Sequence, residues 1–242
     1  MHLEAITFDI DDTLWDNVPV MIEMENDLQD WLEKKLGAPL NVGIDENRVR
    51  RMAFAQTLAG TERRGDVTYV RQKVLHNIIL EQGIKEPEAS QLTEEAVTHM
   101  LALRHRVTPF PEVDTLLHTL KQNYRLAVIT NGNVDVNNLA LGQHFDVCYK
   151  AGEIGMPKPD TRVFLHALKA LGGIDPHNAM HVGDSWENDA EPAAELGMQV
   201  AWIDIFDEKR TLPENVHRLK HVRELPDLLK HLGQPYADSR KH

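Results

Sequence analysis

The sequence holds a single cysteine, no excess of positive charge and no apolar run as long as a membrane helix, and each shortage removes a class of protein. Cys148 alone cannot form an internal disulfide, so a disulfide-stapled framework is excluded. Its apolar setting, FDVCYKA, fits a buried, unreactive thiol in a reducing compartment. Lys and Arg number 26 against 38 Asp and Glu, a formal charge of -12, and no basic run is long enough to follow a phosphate backbone. Nucleic acid is therefore excluded as the main partner. No stretch reaches the roughly 20 apolar residues that a bilayer-crossing helix needs. Glu4, Asp9, Asp11 and Asp12 stand where a secretory leader would be apolar. The expectation is a cytoplasmic protein with no membrane partner. Internal repeats and low-complexity tracts are also missing.

What is present is ordinary globular material: 242 residues, 42% of them hydrophobic. From about residue 107 short apolar runs alternate with helical patterns, the signature of strand-helix units and a parallel sheet. RLAVIT stops at Thr130-Asn131-Gly132, FDVCYKA before Gly152 and AMHVGD at Asp184, while QVAWID follows the helix that Gly197 closes. The opening run, LEAITFDI, belongs with these strands. Between Asp16 and about Arg106 the texture is helical throughout. Met21, Met24, Leu28 and Trp31 recur at helical spacing up to Gly37, and Val67, Val70 and Val74 begin a second face stopped at Gly83. The reading is an α/β protein with a Rossmann-like parallel sheet core over 1-15 and 107-242, interrupted by an all-helical domain over 16-106. From Pro213 onward a short final strand is expected near Val222, then a helix carrying Leu225, Leu228, Leu229 and Leu232.

The opening run delivers carboxylates that repel one another. In a strand alternate residues share a face, so Asp9 and Asp11 can enter one site while Ile10 points away. Ligands of parallel sheets gather at the carboxyl ends of the strands. Like charges at close range need a cation or a proton, and a hard cation such as Mg²⁺ takes carboxylate, carbonyl and water oxygens and pairs with substrate phosphate. Other strand ends supply the complement: the Thr130 hydroxyl, the Asn131 amide, Lys158 between Pro157 and Pro159, Asp184 after a strand and Asp189 near a helix start.

The four strings DIDDT, TNG, PKP and GDSWEND, in that order, resemble the motifs of haloacid dehalogenase superfamily phosphatases, and the helical insert resembles the cap such enzymes carry after the first motif. The resemblance implies that Asp9 attacks phosphorus and that Asp11 protonates the leaving alkoxide and then activates water. It implies Mg²⁺ held by the Asp9 carboxylate, the Asp11 carbonyl and Asp184, with Asp189 as ligand or one shell out. Thr130 and the Asn131 amide would hold phosphoryl oxygens, and Lys158 would offset negative charge. For Asp11 to act as an acid near neutral pH, burial and neighbouring negative charge should favour its protonated form. The implied partner is a small-molecule phosphate, with the chain a monomer or homodimer. FDIDDTLWDN with ITNGN looks most like bacterial phosphatases acting on flavin mononucleotide and 5-amino-6-(5-phospho-D-ribitylamino)uracil, in riboflavin metabolism. Sugar phosphates, phosphoglycolate and nucleoside monophosphates stay open, as do a phosphomutase and a catalytically silent binding protein. Dehalogenases of the fold lack an acid two residues after the nucleophile, because a halide leaves without a proton.

Simpler roles compete at several positions. Asp12 and Thr13 fit local hydrogen bonding in the turn, and Asp189 can be read as a helix N-cap. Trp186 can pack under the cap, line an entrance or sit on the surface. Pro192-Ala193 replaces the usual small pair after the fourth motif, in a first helical turn that tolerates proline. His217 and His221 could share a helical face, but no third zinc ligand is at hand.

Overall fold

Apolar runs bounded by turn residues form six strands in the computed structural model, which describes residues 2–236. They are β1 (Ala5–Phe8), β2 (Arg125–Thr130), β3 (Val147–Lys150), β4 (Ala179–Gly183), β5 (Gln199–Ile203) and β6 (Val216–Leu219). Every pairing is parallel, in the order β3-β2-β1-β4-β5-β6. Parallel strands buried on both faces read as continuous apolar runs, and β1 and β4 are buried at every position.

Between β1 and β2 the chain makes α1 (Asn17–Leu36), α2 (Ile44–Thr57), α3 (Val67–Glu81) and α4 (Glu88–Arg104), then α5 (Val113–Leu120) beside the sheet. Asp16 caps α1 by accepting a hydrogen bond from the Val18 N–H, and Gly37 ends it at φ 67°, where a side chain would be strained. The apolar stripe of α1 packs Met24, Leu28 and Leu32 against Leu75 and Ile79 of α3 and Ala96 and Met100 of α4. These helices thus share a core of their own. Helix α2 adds no buried residue to it. After β3 come α6 (Arg162–Ala170), α7 (Glu191–Glu195, with Pro192 in its first turn) and α8 (Leu225–His231). Leu116, Leu117 and Leu120 of α5 join Leu225 and Leu229 of α8 on one face of the sheet. Phe164 and Leu168 of α6 join Ala193 of α7 on the other.

The final strand lies earlier than expected, at Val216–Leu219, and Val222 opens a short 3-10 turn instead. The β6 edge buries only its two ends, with His217 and Arg218 half-exposed between them, so no apolar run marks it. Val222 is apolar because it alone of that turn is buried, packed in the core beside Leu225. His217 therefore sits on a strand and His221 before a turn, and they share no helical face. His217 faces Gln199 at 2.9 Å and His221 faces Glu112 at 3.1 Å. Among the described residues no helix is long and apolar enough to cross a membrane.

Because Met100 is fully buried among α1, α3 and α4, Met100→Ala is expected to destabilise the helical insertion by about 2–5 kcal/mol. The check is urea unfolding followed by circular dichroism, where the loss reads as a lower midpoint.

Candidate active site

The chain runs outward from β1 to β3 and returns through β4 to β6, which puts the crevice of the sheet between β1 and β4. The carboxylates collect there. Asp9 directly follows the β1 end, and its N–H donates to the Val182 carbonyl at 2.9 Å, extending the β1-β4 pairing by one bond. Asp184 follows β4, its carbonyl accepting from the Trp202 indole at 2.9 Å. Asp189 rises from the wide helical turn Trp186–Ala190. One oxygen from each of these three aspartates lies within 4.8 Å of the others.

Lys158 is brought in from the loop after β3. Its backbone is clamped by Asn131, whose Oδ1 accepts from the Lys158 N–H at 2.8 Å and whose Nδ2 donates to the Lys158 carbonyl at 2.9 Å. The ammonium then donates to Asp9 Oδ1 at 2.7 Å and Asp189 Oδ1 at 2.5 Å. Asp189 also accepts from the Ser185 N–H at 3.1 Å and lies 3.0 Å from His181 Nε2. A side chain at Gly183 would collide with the Asp189 carboxyl group, so the end of β4 must be glycine for Asp189 to lie against it.

The charges do not balance without help. Burial, reinforced by Asp189, Asp184 and Asp11, pushes Asp9 well above the usual carboxylate range despite Lys158. Burial and the negative charges of Asp189 and Asp12 raise Asp184 to about 7. For Asp189 burial acts upward too, but Lys158 and His181 outweigh it and hold the group at about 2. Burial would lower Lys158, yet Asp189 and Asp9 keep its ammonium above its ordinary value. Buried His181 is held below its ordinary value and stays neutral. Three carboxylates thus face one ammonium, in an all-oxygen donor set that suits a hard divalent cation better than zinc.

Asp11 leaves this cluster and turns to the helical insertion. Its carboxylate accepts from the Trp15 indole at 2.9 Å and from Arg104 Nη2 at 2.6 and 2.5 Å. The expected negative neighbour is thus a guanidinium in the last turn of α4, 93 residues away. Sequence reading missed Arg104, and its only local mark is a basic residue ending the run LALR. The Thr130 hydroxyl is buried and accepts from the Gly132 N–H at 2.9 Å. The Asn131 side chain is committed to the Lys158 backbone through both its amide oxygen and its amide nitrogen. Asp189 is no N-cap, since Ser185 caps that turn. Asp12 accepts from the Asn17 N–H at 2.9 Å, a local turn role, whereas the Thr13 hydroxyl is buried without a partner among the described residues. Trp186 lies between Trp202, at 5.0 Å and near-perpendicular, and Arg210.

A parallel sheet carrying an acidic, lysine-bridged crevice at its switch point is an α/β enzyme framework of Rossmann-like type. The chain belongs to the haloacid dehalogenase-like hydrolases, whose family profile matches residues 3–197. It is 29% identical over 202 residues to the 5-amino-6-(5-phospho-D-ribitylamino)uracil phosphatase YigB of Escherichia coli, covering 84% of each chain. It is 30% identical to the glyceraldehyde 3-phosphate phosphatase of Methanothermobacter thermautotrophicus, covering 83% of this chain and 85% of that one. Among solved structures, a 2-haloacid dehalogenase from Pseudomonas syringae superposes with a TM-score of 0.83 at 32% identity, over 95% of this chain and 99% of that one.

The raised Asp184 sets a pH dependence. Its folded value of about 7 lies above the ordinary 3.8, so its stabilising contribution is complete in acid and is lost as pH rises through about 7. A cation that requires the ionised carboxylate gains affinity over the same window. Mg²⁺ is therefore expected to raise the melting temperature more at pH 8 than at pH 6, and Asp184→Asn to reduce that difference, with the part set by the likewise raised Asp9 remaining. Equal shifts at both pH values in the unaltered protein, measured by calorimetry, would remove Asp184 from the cation site.

Proposed function

We propose that the protein is a Mg²⁺-dependent phosphomonoesterase acting on a small-molecule phosphate through an aspartyl-phosphate. The observation that carries this reading is the pair Asp9 and Asp11: one carboxylate is buried against Lys158 in the crevice, and the other is held at the insertion side by Trp15 and Arg104. In this reading the Asp9 carboxylate attacks phosphorus as the ester P–O bond breaks. Asp11 gives its proton to the departing alkoxide, then takes one from the water that attacks the acyl phosphate, returning Asp9 and releasing phosphate. Lys158 offsets charge on Asp9 and the phosphoryl group, and the Thr130 hydroxyl binds a phosphoryl oxygen. Asp9, Asp184 and the Asp11 carbonyl would hold Mg²⁺, with Asp189 as a further ligand or as the group that fixes Lys158. The cation, when bound, supplies positive charge against the phosphoryl oxygens. The helices over 16-106 serve as a cap that excludes water and faces the leaving group.

Flavin mononucleotide or 5-amino-6-(5-phospho-D-ribitylamino)uracil is the proposed substrate, supported by the similarity to YigB over most of both chains. Dehalogenation is the second reading, favoured by the likeness to the Pseudomonas structure. A halide leaves without a proton, so the second carboxyl group at Asp11, two residues after Asp9, favours the phosphatase.

Phosphate release from flavin mononucleotide, phosphoglycolate, ribose 5-phosphate and uridine monophosphate, with Mg²⁺ or EDTA, tests the reading alongside chloride release from 2-chloropropionate. Turnover is expected only with phosphate esters and Mg²⁺. Asp9→Asn should abolish it, and Asp11→Asn should lower it by about 10²–10⁴-fold, the usual span of general acid-base catalysis. Chloride release in place of phosphate would replace the phosphatase reading with the dehalogenase one.

A further inference from the structure

A cavity of about 350 Å³ opens beside Asp11, between Gly132 just past the carboxyl end of β2 and helices α1, α2 and α3. Its size is in the range of small-molecule sites. Met21, Met52, Ala55 and Val70 give it apolar walls. Met52 is 59% exposed, and its helix, α2, buries no residue of its own. An apolar surface therefore faces the cavity with nothing covering it.

At the same cavity stand Arg51 of α2 and Arg71 of α3, and both are tied to one carboxylate, Glu25 of α1. Arg51 Nη2 and Arg71 Nη1 each donate to Glu25 Oε1 at 2.8 Å, and Arg51 Nη1 reaches Oε2 at 3.2 Å. The three side chains are only 14%, 11% and 12% exposed. Two guanidinium groups against one carboxylate leave a surplus positive charge, and a largely buried surplus charge is costly unless something answers it. Burial and the nearness of Arg71 hold Arg51 below its ordinary value, in keeping with that surplus. Two further lining residues carry buried polar atoms with no hydrogen-bond partner among the described residues, Asn17 Oδ1 and Arg104 Nη1.

These features ask for one occupant. An apolar wall fits a planar ring, and a pair of guanidinium forks fits a hydrogen-bond-accepting edge on that ring. We infer that Arg51 and Arg71, held in place by Glu25, are specificity-determining residues, reading an acceptor edge, carboxylate or dicarbonyl, on a planar ring of the leaving alcohol. The inference rests on the phosphatase reading for its chemistry, while the recognition it describes can be measured by binding alone. Helix α2 is tied to α1 by the Arg51–Glu25 pair and to α3 by Arg50–Glu81 and by Phe54 against Tyr69, Val74 and Ile78, so a ring against Met52 adds an apolar contact on the face turned to the cavity.

The experiment compares flavin mononucleotide (a dicarbonyl ring), 4-carboxyphenyl phosphate (a carboxylate ring), phenyl phosphate (a ring without such an edge) and ribose 5-phosphate (no ring). In Arg51→Met and Arg71→Met, KM for at least one of the first two is expected to rise about tenfold or more beyond any change for phenyl phosphate, as loss of a charged hydrogen bond implies. The change in kcat should be smaller. An effect confined to flavin mononucleotide names the dicarbonyl edge, and one confined to 4-carboxyphenyl phosphate names the anion. Arg51→Lys, which keeps the charge beside Glu25 and spares the fold, should restore part of the lost affinity. Equal KM changes across all four esters would overturn the inference and leave the arginines a purely structural role. Binding of flavin mononucleotide, followed by its fluorescence quenching, separates the two failures. Arginine-dependent binding with no phosphate release from any ester would sink the phosphatase reading alone. Turnover without arginine-dependent discrimination would sink this inference alone.

Discussion

The ammonium of Lys158 lies between the carboxylates of Asp9 and Asp189 with almost none of its surface open to water, and the rest of the crevice is arranged around that contact. Buried charges persist only when they are paired and hydrogen-bonded. Each partner is accordingly fixed a second time: Lys158 by the Asn131 amide, Asp9 by its bond to Val182, and Asp189 by Ser185 and His181. His181 is in turn 2.8 Å from the Thr7 hydroxyl and edge-on to Phe164, which carries the constraint into the sheet and its covering helix. The glycine at the end of β4 belongs to the same set, because Asp189 occupies the space a side chain would need.

The two acidic residues of the opening motif are thereby separated in environment although they are two positions apart. Asp9 shares the crevice with Lys158 and two other aspartates, and its charge is governed by burial and by them. Asp11 answers to Trp15 and Arg104, at the insertion side of the same crevice. Strand alternation brings both toward one site; the turn that follows, where Asp12 adopts φ 58°, gives them different partners.

Much of this was legible in the sequence, for a physical reason. Strands buried on both faces leave continuous apolar runs, and a parallel sheet puts its ligand groups where those runs stop, so Asp9, Thr130 and Asp184 could be picked out from position alone. The edge strand β6 was misplaced because its half-exposed His217 and Arg218 break the run. The contact of Asn131 with Lys158 was hidden because the backbone it binds is 27 residues away, and Arg104 was hidden because its partner is 93 residues away. The cavity arginines left no trace either. Arg51, Arg71 and Glu25 come from three separate helices, and a charged residue on a helix normally reads as solvated surface.

The chain leaves the sheet side just after Trp15 and returns from α4 through Arg104, and those two residues grip the same carboxylate, Asp11. Departure and return thus meet at one point, as the closely spaced ends of a spliced-in unit must if the host is to stay undisturbed. A helical unit of another length or shape could be exchanged at this seam, provided its two ends still met there, without displacing the strand ends that carry Asp9, Lys158 and Asp184. The sheet and the helices are in that sense separately editable, with the aspartate-lysine cluster on one side of the join and the arginines tied to Glu25 on the other.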